Sequence, residues 1–388
     1  KGNELMNHLL LWLFWLSAGL LAYHLVGYGA LLYLWNKLFK KKHVPTGEIA
    51  EYPKITVLCP AFNEEKVIED KLKSFISIDY PQDKIDMIVI SDDSTDATNE
   101  IVKRYTGQNI SLVIQKPRAG KQSAHNYVLP LLNCEYVLST DANSIFDPGS
   151  VKLLVSRMFS QPKVGMVSGE LRLVRNSDRS SGEGLYWRYE SLLKEMDSRF
   201  KSLIGANGSI FLIKKELFGK VDPQSVDDFE RTLEVLKQGY LALYEPRAMV
   251  FEEETEKASQ EISRKIRIIS QEWFAMRRNA LLLNPFRFPA ISFLLFSHKL
   301  PRWLIFVFVL TALLSSGLLA GNWFYRYLCL IQIAAYLLGA AGLIAQSKGR
   351  HLPFSGLPGY FVAMVWSSAV AFRNFLTNKN FGVWKPIR

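Results

Sequence analysis

The sequence predicts an α/β domain with a parallel or mostly parallel sheet, placed between apolar segments that belong in a membrane. Two observations carry this. From residue 54 to about 278, short β-branched runs alternate with amphipathic stretches of helix length, the pattern of a sheet covered on both faces by helices. On either side of that region the sequence turns almost wholly apolar. Composition agrees: 49% of the 388 residues are hydrophobic and 13% aromatic, yet 21% are charged, and the mean hydropathy is +0.05. So much apolar surface excludes a disordered chain. Cys59, Cys134 and Cys329 are an odd number without paired spacing, which excludes a disulfide scaffold and fits a reducing compartment. The six scattered His residues contain no H-x3-H pair, so zinc is not expected.

The first element, about 5 to 39, is apolar apart from Ser17, His24, Asn36, Lys37 and a few Gly and Tyr. A membrane span needs roughly 20 such residues, so one tilted helix fits. A cleaved signal peptide does not: there is no basic n-region, the run is too long, and no small-x-small site closes it. Lys37, Lys40, Lys41 and Lys42 follow and, by the positive-inside rule, place the next segment in the cytoplasm.

Within the polar region, Ile55-Thr56-Val57-Leu58, Met87-Ile88-Val89-Ile90, Leu112-Val113-Ile114 and Tyr136-Val137-Leu138 read as strands buried on both faces. Helices are expected to begin near Glu64, Thr95, Gly120 and Pro148. A later stripe, Ile262, Ile266, Ile269, Trp273 and Met276, is flanked by Lys265, Arg267, Arg277 and Arg278. That pattern suits either an interfacial helix or a core-facing one. Residues 286–296 are a second interfacial candidate, with Arg287, His298, Lys299 and Arg302 nearby. Three apolar segments close the chain at 303–321, 328–345 and 359–372, and the first two read as spans. Three spans would carry the basic tail (Arg373, Lys379, Lys385, Arg388) outside, so the last segment is expected to re-enter or to lie along the interface. The expected domains are 1–45, 46–255, 256–300 and 301–388. A transporter is disfavoured because the spans hold almost no polar residues. Nucleic-acid binding is disfavoured because much of the net charge of +11 lies beside the apolar segments.

In an open α/β sheet, ligands bind beyond the carboxyl ends of the strands, and the chemistry-bearing residues stand there. The four strands are followed by Pro60-Ala61-Phe62-Asn63-Glu64, by Ser91-Asp92-Asp93-Ser94, by Lys116-Pro117-Arg118-Ala119-Gly120-Lys121, and by Asp141-Ala142-Asn143. Any one such loop could simply cap a helix. Acids and bases in all four, at one end of the sheet, suit a phosphorylated ligand bridged by a divalent cation. Gly120-Lys121-Gln122-Ser123 is not a P-loop: Gln115 stands where the earlier Gly belongs, and no Ser or Thr follows the Lys. Further on, Gly205-Ala206-Asn207-Gly208-Ser209 follows a helical pattern with Leu185, Tyr189, Leu192, Met196 and Phe200. Gly205 there is either a helix stop or a place where substrate meets backbone. Asp227-Asp228-Phe229-Glu230 opens another helix, where the acids could favour its dipole or act in chemistry.

Together these motifs resemble the membrane-integrated family 2 glycosyltransferases of GT-A fold, the group containing cellulose, hyaluronan and poly-N-acetylglucosamine synthases. The resemblance runs from residue 60 to about 267, with apolar segments in the matching places. It implies a Rossmann-like nucleotide-sugar-binding domain inserted between N-terminal and C-terminal transmembrane and interfacial helices, in a bacterial or archaeal inner membrane. It assigns Pro60, Ala61, Asn63, Glu64, Asp92 and Asp93 to the nucleoside pocket, with Lys121 beside the nucleotide. Asp141 falls on the D-x-D metal motif for Mg²⁺ or Mn²⁺, with Asn143 in place of the second acid. Gly205, Ala206 and Asn207 fall beside the acceptor, and Asp228 at the catalytic base of an inverting transfer. Processive members carry Q-x-x-R-W. Here Arg267 is kept, Arg264 replaces Gln and Ile268 replaces Trp. Ile has no flat face on which a sugar can stack. The resemblance therefore implies one or a few transfers from a nucleotide-diphosphate sugar, UDP-linked in the first instance, to a polyprenyl-linked or other lipid acceptor. A processive synthase and a silent nucleotide-binding membrane protein are the alternatives.

Overall fold

The computed structural model describes residues 2–39, 47, 49–174, 182–253, 258–350, 352–379 and 381–382. Lys40, Lys41, Lys42, Lys385, Arg388 and the side chain of Leu185 lie outside the described residues.

The polar region forms one eight-stranded sheet. Its strands are β1 (Ile55–Ala61), β2 (Ile85–Asp92), β3 (Ile110–Gln115), β4 (Tyr136–Thr140), β5 (Ile145–Phe146), β6 (Val164–Val174), β7 (Ile210–Lys214) and β8 (Leu241–Glu253). Their spatial order is β3-β2-β1-β4-β7-β6-β8-β5. β3, β2, β1 and β4 are mutually parallel. β7 then runs antiparallel between β4 and β6, and β8 pairs parallel with β6. The sheet is therefore mixed. One face packs on a core of Val57, Cys59, Leu72, Phe75, Val89, Leu154 and Leu243, the other on Leu58, Ile90, Val128, Val137, Phe211 and Val235. Successive strand residues point to opposite faces, which is why Leu58 and Cys59 enter different cores. The first helices are Ile68–Ile76, Thr98–Arg104, Lys121–Val128 and Ser150–Met158, later than expected for the first two because the loops that precede them are built from hydrogen bonds rather than helix.

The N-terminal apolar stretch is helical over Gly2–Ala22, makes a π-turn at Tyr23–Gly27 and continues over Tyr28–Leu38. Its 35-residue apolar stretch, Glu4–Leu38, is about 50 Å long at the α-helical rise, beyond the ~30 Å of a hydrocarbon core. The second half docks on the globular domain instead: Tyr28 and Leu32 are buried against the Gly182–Phe200 helix, and Asn36 Nδ2 donates to Met196 O at 3.2 Å. In that helix Leu193, not Leu192, faces the core, and Leu192 is exposed.

The C-terminal segments differ from expectation at 303–321. Pro289–Trp303 and Ile305–Leu318 form a pair bent by 63°, and Trp303 is fully buried. Pro301 lacks an N–H and clashes with the preceding turn, where the chain takes a π-turn at Leu295–Lys299; the chain breaks again at Leu304, just after the buried Trp303. Trp323–Ser347 is a 25-residue apolar helix long enough to cross a membrane. It packs back on its predecessor, with Gln332 Nε2 donating to Ser316 Oγ at 3.2 Å. Gly356–Leu376 is one unbroken helix rather than a re-entrant hairpin. It runs beside Ala258–Arg278, with Lys265 over the Tyr360 ring, Asn374 bonded to Ser270 and Phe375 stacked on Trp273. The stripe helix thus lies between the globular domain and this last helix, and Ile269, Trp273 and Met276 join the core that also takes in Tyr28 and Trp303.

Candidate active site

The carboxyl ends of β1, β2 and β4 open onto one cleft. β1 pairs with β4 only as far as Leu58–Ser139, while its pairing with β2 continues to Ala61–Ser91. Pro60 lies beyond the β4 ladder, where a missing N–H breaks no bond to that strand.

The first two loops are knitted together. Asn63, at φ 54°, accepts from Thr95 N–H at 2.8 Å through its side chain, and its own N–H donates to Ser94 Oγ. Glu64 N–H donates to Thr98 Oγ1 at 2.8 Å, and the Glu64 side chain is buried. Asp92 accepts from Gln115 Nε2 at 3.0 Å and from Ala119 and Gly120 N–H at 2.8 Å each. It therefore braces the third loop into shape. Asp93 lies 3.4 Å from Lys116 Nζ at the rim. Gly120, at φ 94°, takes a conformation that side chains disfavour, and so aims Lys121 inward from the first position of its helix.

Lys121 Nζ donates to Asp141 Oδ1 at 2.6 Å and to Gly208 O at 3.3 Å. Burial alone would lower the pKa of this ammonium, but the carboxylates of Asp141, Asp227 and Asp228 raise it well above the usual lysine value. Asp141 Oδ2 lies 3.3 Å from Ser209 Oγ. That hydroxyl also reaches Glu252 Oε1 at 2.7 Å. A hydroxyl has one proton, and the shorter contact takes it, which leaves Asp141 Oδ2 with the weaker contact on a side chain that is one-third exposed. Asn143 is half-buried two residues on. Among the described residues no three His, Cys, Asp or Glu converge on one point. A hard divalent cation still fits this donor set, because Mg²⁺ is commonly held by one or two protein oxygens together with water and ligand phosphates.

Sequence reading missed the layer beneath Asp141. Lys71, fully buried, donates to Thr140 Oγ1 at 2.7 Å and to Ser144 O at 2.5 Å. Burial brings its pKa down to about 8, against the pull of Cys59, Asp141 and Glu252. Thr140 Oγ1 donates to Ser209 O, and Ser144 Oγ to Glu252 Oε1. Glu252 is itself raised above the usual carboxylate range, by burial first and then by the charge of Asp141. One signal could have found it. Ala248, Val250 and Glu252 share one face of β8 at period two, and all three are buried.

Across the cleft, Asp228 sits at the start of the Asp227–Lys237 helix. A Cβ on Gly208 would stand 2.9 Å from Asp228 Oδ2, so the turn at 205–208 lies directly against this carboxylate and Gly208 needs its missing side chain. Asp228 is half-buried and its pKa is raised to about 6: burial dominates, Asp227 and Glu272 add to it, and Lys121 and the Phe229 N–H oppose it. Asp227 points the other way. It takes Arg231 Nε at 2.6 Å and lies 3.2 Å from His125 Nδ1. These partners, with Lys121, overcome burial and hold it well below the usual range. Neither acid caps the helix, which has no side-chain cap. Nor is Gly205 a helix stop, since the preceding helix ends at Phe200. A Cβ at Gly205 would meet Phe229 and Lys299 at 3.3–3.4 Å. Ala206 N–H donates to Thr232 Oγ1 and Asn207 N–H to Ser168 Oγ, which pins the turn. Arg267 faces the same cleft: burial, then Arg264, lowers its pKa to about 10, while Asp141 and Asp228 oppose the shift.

Asp141, Lys121, Gly208 and Asp228 are thus brought together, with Arg267 near both acids. Asn63, Glu64, Asp92 and Asp93 form the adjoining wall. Residues 56–222 match the profile of Glycosyl transferase family 2. The chain is 30% identical over 223 residues to a probable glycosyltransferase, YdaM, of Bacillus subtilis, covering 53% of this chain and 52% of that one. It is 28% identical over 236 residues to poly-β-1,6-N-acetyl-D-glucosamine synthase of Staphylococcus epidermidis, covering 58% and 56%. The chain therefore spans about half the length of the curated relatives it matches. A mannosyltransferase from Pyrobaculum calidifontis, solved with GDP-Man and Mn²⁺, superposes with a TM-score of 0.71 at 23% identity, over 95% of this chain and 100% of that one. That likeness speaks for the fold. Family profile, relatives and architecture agree that residues 56–222 are a glycosyltransferase family 2 domain, set in a GT-A fold.

Proposed function

We propose that the protein is an inverting glycosyltransferase that moves a sugar from a nucleotide-diphosphate donor, UDP-linked in our reading, to the hydroxyl of a lipid-linked acceptor. The observation that carries it is the gathering of Asp141, Lys121 and Asp228 in one cleft, with the Gly205–Gly208 turn against the base. The relatives that bear glycosyltransferase names and the neighbour solved with GDP-Man and Mn²⁺ support a donor of this class.

In this reading Pro60, Ala61, Asn63, Glu64 and Asp93 line the nucleoside pocket, and Asp92 shapes it by holding the third loop. Asp141 and the Asn143 amide would hold Mg²⁺ or Mn²⁺, which offsets charge on the leaving diphosphate when bound. Lys121 and Arg267 add fixed positive charge at that place. The acceptor hydroxyl lies on the turn formed by Gly205, Ala206 and Asn207. Asp228 takes its proton as the hydroxyl attacks the anomeric carbon from the side opposite the nucleotide. A pKa near 6 suits that task, since the group is ionised at neutral pH yet basic enough to accept a proton.

Membrane placement follows the same logic. The N-terminal helix crosses into the cytoplasm, the hairpin at 305–347 enters and returns, and Gly356–Leu376 lies beside Ala258–Arg278. This arrangement keeps the basic tail on the side of the catalytic domain, in accord with the positive-inside rule. Ile268 in place of an aromatic platform supports one or few transfers. Product analysis tests the proposal: radiolabelled UDP- and GDP-sugars are offered with Mn²⁺, with and without polyprenyl-phosphate-linked acceptors. The expected result is label in a short lipid-linked product. Long polymer formed without any lipid would overturn the reading.

A further inference from the structure

Glu272, buried in the middle of the Ala258–Arg278 helix, accepts from Lys299 Nζ at 2.6 Å and from Trp303 Nε1 at 2.8 Å. Both donors belong to Pro289–Trp303, the first limb of the bent apolar pair. Both also press on one ring. Lys299 Nζ stands 4.8 Å from the Phe229 centroid, and Trp303 meets that ring edge-on at 5.8 Å. Phe229 directly follows Asp228, and its N–H donates to Asp228 Oδ1 at 2.7 Å. Lys299 Nζ also lies 3.4 Å from the position of a Cβ on Gly205. One cluster, Glu272 from the Ala258–Arg278 helix with Lys299 and Trp303 from the first limb of the bent pair, therefore touches both Phe229 and the turn at Gly205.

The Asp227–Lys237 helix start has no side-chain cap, and Phe229, its third residue, packs against Lys299 and Trp303. We propose that Glu272, Lys299 and Trp303 are positioning residues that lock the base-bearing helix end and the Gly205 turn to the first limb of the bent pair, so that docking of that limb sets the working geometry of Asp228. The inference rests on Asp228 being the base. The charges facing Asp228 are Lys121 from the third loop, Asp227 from its own helix, and Arg267 and Glu272 from the Ala258–Arg278 helix. Lys299 balances Glu272. Loss of Lys299 alone leaves the Glu272 charge uncompensated beside the base, and removal of both restores the balance.

The test uses the full chain in lipid nanodiscs, with initial rates measured from pH 5 to 8. Lys299→Met is expected to lower kcat on the order of tenfold or more, with the nucleotide-sugar KM within about twofold. Its acid limb should move to higher pH, and Glu272→Gln/Lys299→Met should bring that limb back. Trp303→Phe, which keeps a ring on Phe229, should retain more kcat than Trp303→Leu at equal Tm. A wild-type acid limb in Lys299→Met with kcat unchanged overturns the inference. So does equal activity of the two Trp303 variants, which also decides the matter if Lys299→Met does not fold. Failure of the underlying reading looks different: Asp228→Asn would then turn over at the wild-type rate.

Discussion

Asp228→Asn is expected to abolish sugar transfer by about 10²–10⁴-fold, the range that a positioned general base supplies, while nucleotide-sugar affinity stays near wild type. The amide has the same shape and no basic lone pair of comparable strength. The wild-type protein should show kcat/KM rising with pH through about 6, where Asp228 ionises, and the variant should lack that limb. The same shift has a stability consequence of known sign. The folded protein holds the Asp228 proton more tightly than the unfolded chain, so the ionised form costs stability at neutral pH. That cost disappears below about pH 4, where the group is protonated in both states. Asp228→Asn should therefore raise Tm at pH 7.5, by on the order of 2 °C or more, and leave it close to wild type at pH 4. Differential scanning calorimetry at the two pH values checks this. An activity loss with a lowered Tm at pH 7.5 would instead mean that the carboxylate is structural.

The second large effect concerns Asp141. Its Oδ1 meets Lys121 and its Oδ2 has only the 3.3 Å contact with Ser209 Oγ. Asp141→Asn should weaken binding of a nucleotide diphosphate in the presence of Mn²⁺ by more than the roughly 10–100-fold that loss of an outer-shell partner costs. A chelator should weaken wild-type binding in the same way and leave the variant unchanged. Thermal shift reads both, since a ligand that binds only the folded state raises its stability. Equal metal-dependent shifts in wild type and variant would contradict the assignment of Asp141. Glu252→Gln, one layer below, should produce a smaller loss in the same direction, because its Ser209 partner borders Asp141 Oδ2.

How much of this was legible follows from where each residue lies. β1, β2 and β4 announce themselves as continuous apolar runs because both faces of each are covered; β3 reads as buried in the same way but is the edge strand, with Ile114 exposed and Leu112 and Val113 half-buried. β6 and β8 do not. Each begins buried and ends half-exposed, with Glu170, Arg172, Glu245 and Arg247 interrupting the apolar pattern. β7 hides behind a Gly-rich turn, and its antiparallel insertion beside β4 depends on long-range pairing that local sequence does not encode. In the cleft, Lys121, Asp141 and Asp228 stood out because each sits in a loop or at a helix start, where acids and bases are conspicuous. Lys71 did not: on a helix reading Ile68-Glu69-Asp70-Lys71 it looks like one more solvated charge, yet it is wholly buried beneath Asp141. Glu272 looks the same beside Gln271, and only the fold brings Lys299 and Trp303 to it. The apolar segments were visible by length and composition, but the bend between Pro289–Trp303 and Ile305–Leu318 goes with the packing of Trp303 on Phe229 and Trp273, to which hydropathy alone is blind.

The central claim is a single displacement, with the nucleotide leaving on the Asp141 side and the hydroxyl arriving on the Asp228 side. The anomeric configuration of the product tests it most directly. An α-linked nucleotide sugar should give a β-linked product, read by the anomeric proton in one-dimensional NMR at early times. An α-linked product would mean retention, require a second nucleophile in the cleft, and contradict the role given to Asp228.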